Sequence, residues 1–384
     1  MPKKVLLCAT VDYHFKAFHL PYMKWFKEQG WEVHIAANGE MDLPYVDAKF
    51  NIPIQRSPFR GINLKAYGAL KSIIDENKYD LIHCHTPMGG LLARLAAREA
   101  RRNGAKVIYT AHGFHFCKGA PFINWMVYYP LEKVLSYYTD CLITINKEDY
   151  NLALNRRFRA GRIEHVHGVG VDTEKYLPMN EIHKYELKKT MGYEPEDILL
   201  FYAAEFNRNK NQQMLVHALA LLKDEEPNVK LLLAGEGPLK EQCLDLAREL
   251  GVSNRVDFLG YRNDIDRLMP ICDVAVASSL REGLPVNIME AMACALPIIA
   301  SSNRGHRELV HDDCNGWIIE PNDYKAMAVR IKQLAQNKDL RSKLGELGRE
   351  MIERKYAIQT VLNEKRNIYS LYMDEKVDVV WAIQ

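Results

Sequence analysis

Within the run Ser279-Leu-Arg-Glu-Gly-Leu-Pro-Val-Asn-Ile-Met-Glu-Ala-Met-Ala-Cys-Ala-Leu-Pro297, two carboxylates could do chemistry together. Glu282 and Glu290 stand eight positions apart (290 − 282 = 8), with Gly283, Leu284 and Pro285 between them and an apolar, helix-like stretch behind. Pro285 suits the first turn of a helix, where its missing N–H is one of the orphan donors anyway. Gly283 lets a ligand approach the backbone closely. The free N–H groups of a helix start, with the positive end of the dipole, make an anion site that fits a diphosphate. Glu282 then lies at the mouth of that site and Glu290 about two turns further in. A carboxylate beside a phosphate site makes sense if it accepts hydrogen bonds from sugar hydroxyls. The arrangement reads as a nucleotide-sugar site, with one sugar near each glutamate.

A second cluster of charge lies in Ala204-Glu-Phe-Asn-Arg-Asn-Lys-Asn211, after a strand-like run and before a helical one. A lysine at a helix start opposes the dipole unless an anion is present, so Lys210 is read as gripping one rather than as a solvated surface lysine. Arg208 is a candidate for a second positive charge. Ala234-Gly-Glu-Gly-Pro238 and Phe258-Leu-Gly-Tyr-Arg262 also end strand-like runs. Gly235, Tyr261 and Arg262 are nucleotide-side candidates, although such glycines also serve plain strand–helix turns.

The first half carries histidines at strand ends. His112 lies in Thr110-Ala-His-Gly-Phe-His-Phe116, and His85 opens His85-Thr-Pro-Met-Gly-Gly90. Residues at such strand ends often carry function, against the plain alternative of surface-loop histidines. His14, His85, Gly89 and His112 are assigned to the donor and acceptor side; His83 points the same way as His85 along its strand. His83-Cys-His85 and His165-Val-His167 have ligand-like spacing, but no companion cluster is visible in the sequence to complete a zinc site. Asp264-Ile-Asp266 opens a helical run, where aspartate caps orphan N–H groups. No metal or other cofactor is expected.

With these segments in place, the chain resembles the retaining glycosyltransferases of family four, which have the GT-B fold. The Glu-x7-Glu spacing carries the resemblance, together with Ala204–Gln212, Ala234–Pro238, Phe258–Arg262 and Gly168-Val-Gly-Val-Asp172 in the expected order. It covers nearly the whole chain and is closest to bacterial enzymes building capsule, exopolysaccharide or lipid-linked oligosaccharide. The family grips the diphosphate with an arginine and, about five residues on, a lysine. Lys210 matches the lysine, but Glu205 stands where the arginine would be. The resemblance also implies that the loop at Arg262 holds the base partly through its main chain. Glu290 would bind the ribose hydroxyls, and His112 would lie by the donor sugar or the reaction centre. Glu282, Lys210 and His112 are the expected catalytic group.

Positioning these residues requires parallel sheets. Short apolar runs at Val5–Thr10, Glu32–Ala36, Leu81–Cys84, Lys106–Thr110, Cys141–Ile145 and Ile163–Val166 alternate with helical stretches. The pattern restarts at Ile198–Ala203, Lys230–Ala234, Val256–Leu259, Val274–Ala277 and Pro297–Ala300. Apolar strands alternating with helices mean a sheet covered on both faces. The expected fold is α/β, GT-B, with two doubly wound Rossmann-like domains facing a cleft. Residues 1–172 form the acceptor-side domain and 198–355 the nucleotide-sugar domain. A linker at 173–197 and a helical tail at 356–384, crossing back to the first domain as the family's tails do, complete the division.

Composition bounds the rest. The 384 residues are 48% hydrophobic and 26% charged with a net charge of +2, which gives no push toward nucleic acid. The eight cysteines form no CxxC pair and are expected as buried thiols in the cytoplasm. No run reaches the ~20 apolar residues of a spanning helix, and the start reads as a strand rather than a signal peptide. Two stretches, Phe15–Lys27 and Phe114–Tyr129, interleave aromatic and basic residues. That suits a membrane interface as well as core-facing helices, so the inner membrane surface is an expected partner. The function expected is retaining transfer of a hexosyl or N-acetylhexosaminyl unit from a nucleotide sugar, UDP-linked, to a lipid-linked saccharide. The rivals are a non-hydrolysing UDP-sugar epimerase and a catalytically silent partner in a polysaccharide-assembly complex.

Overall fold

The computed structural model describes residues 2–373. Residues 374–384, the end of the expected helical tail, lie outside the described residues. The described residues divide into two compact units, 2–166 with 359–373, and 167–358.

The first unit is built on a seven-stranded sheet of β1 (Lys4–Val11), β2 (Glu32–Asn38), β3 (Ala48–Asn51), β4 (Leu81–His85), β5 (Lys106–Ala111), β6 (Cys141–Thr144) and β7 (Arg162–His165). Its order is β3-β2-β1-β4-β5-β6-β7, and neighbouring strands run parallel. β4 is buried along its whole length, as expected of a strand covered on both faces. Helices Pro87–Ala96 and Ile62–Asn77 cover one face through Leu92, Ala93, Ala66 and Leu70. Gly90 sits where a Cβ would meet the Tyr109 ring at 2.4 Å, which brings the helix close onto β5. Beneath the neighbouring helix Phe122–Leu135, buried Arg94 reaches Glu132 with two bonds of 2.8 and 3.1 Å and stacks 3.8 Å from the Tyr109 ring centre.

The second unit holds β8 (Ile198–Ala203), β9 (Val229–Ala234), β10 (Val256–Gly260), β11 (Val274–Ala277), β12 (Ile298–Ser301) and β13 (Gly316–Ile319). The order β10-β9-β8-β11-β12-β13 is again parallel. In each sheet the strand order reverses once, between β1 and β4 and between β8 and β11. Ligands of open parallel sheets bind beyond the carboxyl ends of strands at such switch points. These are doubly wound Rossmann-like units.

The expected linker has structure of its own. Residues 173–197 contain a helix, Glu181–Thr190, that is part of the second unit. Lys188 donates to Asp273 and to the Asp197 carbonyl, both at 2.7 Å, and Lys184 lies 2.8 Å from Asp273. A strand-based reading misses a short polar helix anchored by a buried carboxylate. The helix Ile358–Ser370 lies mostly in the first unit, where the Tyr369 hydroxyl bonds His83 Nδ1 at 2.8 Å and its ring stacks on Trp25. Seven of the eight cysteines are buried free thiols and Cys314 is exposed. No described helix is long and apolar enough to cross a membrane.

Candidate functional site

The second unit places its charged candidates on both sides of its switch point. The loop after β8 carries Lys210, and the loop after β11 carries Glu282. Lys210 Nζ donates to Glu282 Oε1 at 2.5 Å. Both loops are held by polar ties. Asn207 Oδ1 accepts from the Asn209 and Lys210 N–H groups at 3.0 and 3.1 Å, folding the segment back on itself. Asn209 donates to the Arg281 carbonyl at 2.9 Å, its own carbonyl accepts from Leu280 N–H at 2.8 Å, and Ser278 Oγ donates to the Lys210 carbonyl at 2.7 Å. Such a network fixes where the ammonium and the carboxylate stand. It also corrects one step of the sequence argument: Glu282 is an anion that justifies Lys210 within the protein itself.

The helix behind Glu282 spans Val286–Ala293, with Pro285 at its N-cap in extended backbone. It therefore begins three residues after Gly283, later than the sequence suggests. Its first-turn N–H groups remain the expected anion donors. Leu284 is buried against Gly168, where a Cβ would meet Leu284 Cδ2 at 2.6 Å, so it packs rather than faces a ligand. Glu290 lies on this helix, half-buried, and bonds to buried Tyr176. Burial pushes its carboxyl up to about 7, against the lowering pull of Tyr176 and Lys175.

A third element completes this edge and was missed from the sequence. Helix Arg304–Leu309 follows β12. A Cβ at Gly305 would lie 2.9 Å from Glu282 Cβ and 3.0 Å from the Gly283 oxygen and the Pro285 ring. Arg304 Nε donates to the Glu282 carbonyl at 3.0 Å. Buried His306, held by the Ser301 carbonyl at 2.6 Å, is pushed down to about 4 by burial and stays neutral. The signal available was a Gly-His pair directly beyond a strand end.

The remaining nucleotide-side candidates scatter. Arg208 and Glu205 are exposed. Gly235 adopts φ +140°, and a Cβ there would meet the Ala204 oxygen at 2.1 Å, so this glycine lets the loop after β9 pack on the end of β8. Tyr261 is 74% exposed. Arg262 is tied to Asp264 by bonds of 2.8 and 2.5 Å. That overturns the capping role given to Asp264: it occupies the N-cap position of helix Ile265–Leu268, but its side chain makes no cap bond because Arg262 takes the carboxylate. Asp266 lies 3.9 Å from Lys175.

In the first unit, His14, His85 and His112 do meet, at that sheet's own switch point. His112 Nε2 lies 3.4 Å from His85 Nδ1, and the His14 and His112 rings are 4.8 Å apart. Buried His19 joins them, its Nε2 3.1 Å from that of His14. The expectation that His85 has no companions is thereby corrected; they come from the helix after β1 and its cap, and from the end of β5. His83 stands apart chemically, both its nitrogens bonded at 2.8 Å to Tyr369 and Thr110. Gly89 serves packing: a Cβ there would lie 2.9 Å from the Ala9 backbone. Before it, Thr86 holds φ +61°, a strained value for a β-branched residue, fixed by Thr10 bonding its hydroxyl.

Comparison with known proteins agrees with this architecture. Residues 184–351 match the family model Glycosyl transferases group 1, and residues 4–146 match Glycosyl transferase 4-like. The chain is 55% identical over 374 residues to a Bacillus subtilis (strain 168) protein named "Putative glycosyltransferase EpsD", covering 97% of this chain and 98% of that one. It is 29% identical over 282 residues to the UDP-Gal:alpha-D-GlcNAc-diphosphoundecaprenol alpha-1,3-galactosyltransferase of Escherichia coli, covering 72% of each. Among solved structures, Anabaena Alr3699/HepE in complex with UDP superimposes with a TM-score of 0.77 at 20% identity, covering 96% of this chain and all of that one, which supports a GT-B fold. The chain belongs to the group 1 glycosyltransferases.

Proposed function

We propose that this glycosyltransferase moves a hexosyl or N-acetylhexosaminyl unit, with retention, from a UDP-sugar to a lipid-linked saccharide in exopolysaccharide or capsule-type synthesis. The observation that carries the reading is the Lys210–Glu282 pair at the switch point, beside the start of helix Val286–Ala293, with Glu290 further along that helix. A diphosphate takes the helix N–H groups and the Lys210 ammonium, and Glu282 accepts from donor-sugar hydroxyls. Glu290 accepts from the ribose. Arg208, exposed on the same loop, adds positive charge, and the main chain at Tyr261 and Arg262 lies on the base side.

Transfer breaks the bond between the sugar C1 and the diphosphate oxygen and forms one from the acceptor oxygen to C1 on the same face. The acceptor proton passes to the departing phosphate oxygen. Lys210 and the helix start stabilise the charge that develops there, so no Mg²⁺ or Mn²⁺ is required at the diphosphate. Positioning supplies the remainder. The acceptor falls to the first unit, around the sheet edge with His14, His85, Gly89 and His112. The lipid-linked acceptor and the uridine base are supported by what the Escherichia coli relative's name states of that protein. A membrane surface is the natural location for such an acceptor.

Thermal shift against a panel of nucleotide sugars tests the donor, since selective binding stabilises the native state. UDP-sugars should raise Tm and GDP- or ADP-sugars should not. Transfer is then followed on a diphosphate-linked acceptor. A chain stabilised only by another base would overturn the donor assignment.

A further inference from the structure

Four histidines converge on the switch point of the first sheet. His14 lies on helix Tyr13–Phe18, His19 directly follows it, His85 ends β4 and His112 follows β5. One ring nitrogen from each lies within 4.8 Å of the other three. The His14–His19 nitrogens are 3.1 Å apart and the His85–His112 nitrogens 3.4 Å. An ion bound tetrahedrally at about 2.0–2.1 Å spaces its ligand nitrogens about 3.3–3.4 Å apart. His19 and His85 are buried.

We propose that His14, His19, His85 and His112 bind one zinc ion, a structural clamp fixing the helices after β1 to the ends of β4 and β5. Four imidazoles with no carboxylate suit zinc and exclude Mg²⁺ or Ca²⁺, which take oxygen ligands. Four protein ligands leave no open coordination position, so the ion orders the edge rather than activating water. Burial disfavours the charged form of these imidazoles. One cationic group faces them from the tail helix. Lys365 is fully buried, its Nζ 4.3 Å above the Tyr22 ring and without a hydrogen-bond partner. Burial brings it down to about 7, and a nearby dication favours the free amine further. Three of the four ligands are residues given above to the acceptor side; the test reads metal content, so its failure is distinguishable from failure of the transfer reading.

The test uses the full chain carrying a tag without histidine, purified without chelator, with metals measured by mass spectrometry. About one zinc per chain is expected. The chelator-stripped chain should take up one Co²⁺ with the intense visible bands of tetrahedral nitrogen coordination, and zinc should raise its Tm. His14→Ala should lose the ion, and His311→Ala, at an exposed position of the second unit, should keep it. Because His14 is only half-buried, that variant is expected to fold; the cobalt spectrum of the unmodified chain needs no variant. A chain without metal or cobalt bands, or an ion retained by His14→Ala, overturns the proposal. So does a His14-dependent Tm rise with inorganic pyrophosphate but not with zinc, which would make the cluster an anion site.

Discussion

Lys210 Nζ and Glu282 Oε1 lie 2.5 Å apart, joining the loop after β8 to the loop after β11. The side chains are 23% and 15% exposed, so the pair is only partly screened. On the proposed reading, a diphosphate bound there would meet an ammonium already held in place.

Lys210→Ala should therefore lower turnover by about 10²–10³-fold, the usual loss for one preorganised charge. Folding should change less, since the loop keeps its ties through Asn207, Asn209 and Ser278. Turnover on a lipid-linked acceptor and the Tm of the variant check both halves. Near-normal turnover would move the diphosphate role to Arg208.

Glu290 gives a pH dependence with a definite sign. Desolvation on its half-buried helix face pushes its carboxyl up to about 7. Below that it is protonated and a poorer acceptor for ribose hydroxyls; above, it is charged and a better one. UDP affinity should rise as pH goes from 6 to 8. Glu290→Gln should flatten the slope and weaken binding by about 1.5–3 kcal/mol, the worth of a hydrogen bond to a charged group. Calorimetric titration across that range decides it, and an unchanged slope in the variant would remove Glu290 from the site.

Arg94 and Glu132 test the support beneath the first sheet. Arg94 is 1% exposed and Glu132 is 8% exposed. Glu132→Ala leaves a buried guanidinium unpaired and should cost about 3–5 kcal/mol, whereas replacing both partners by apolar residues of similar volume should cost far less. Denaturant unfolding of the single and double variants measures the difference.

The eleven strands expected from apolar runs all form, within a residue or two of their predicted ends. β3 was missed because Ala48–Asn51 is only half-buried and offers no apolar run; β13, Gly316–Ile319, is a short apolar run that the strand reading passed over. The positions of Lys210 and Glu282 in loops beyond strands, and of Glu290 on the helix that follows, were legible from local pattern; their roles belong to the proposal. The histidine cluster was not legible. His14, His19, His85 and His112 are spread over 99 positions, and only the order β1-β4-β5 brings them together. Gly235 was a nucleotide-side candidate weighed against a plain turn and Gly89 a donor- or acceptor-side one; both accommodate neighbouring backbone, a distinction that one sequence does not carry.

The last prediction concerns the membrane, where the structure separates two stretches that look alike in sequence. In Phe15–Lys27 the apolar residues Phe15, Tyr22, Met23, Trp25 and Phe26 are buried, and Lys27 is paired with Asp47. That stretch is core-facing helix with a solvated edge, which corrects its reading as a membrane face. On helix Phe122–Leu135 the reverse holds. Phe122 is 77% exposed, Ile123 and Met126 59%, and Val134 56%, while Leu135 and Glu132 point inward. Positions 122, 123, 126, 127 and 134 share one side at helical spacing. Exposed Lys118 precedes this face, and Arg156 and Arg159 flank it over the Tyr129 and Tyr137 rings. An apolar helix face bordered by cations suits an anionic lipid surface, with each basic residue contributing about 1 kcal/mol near it. The protein should sediment with vesicles containing anionic lipid and release as salt rises. Joint replacement of Phe122, Ile123 and Met126 by serine should abolish sedimentation while leaving UDP binding and Tm nearly unchanged; replacing Lys16, Lys24 and Lys27 by glutamate should weaken it only slightly. Sedimentation that survives the serine variant would show that this face does not dock on lipid.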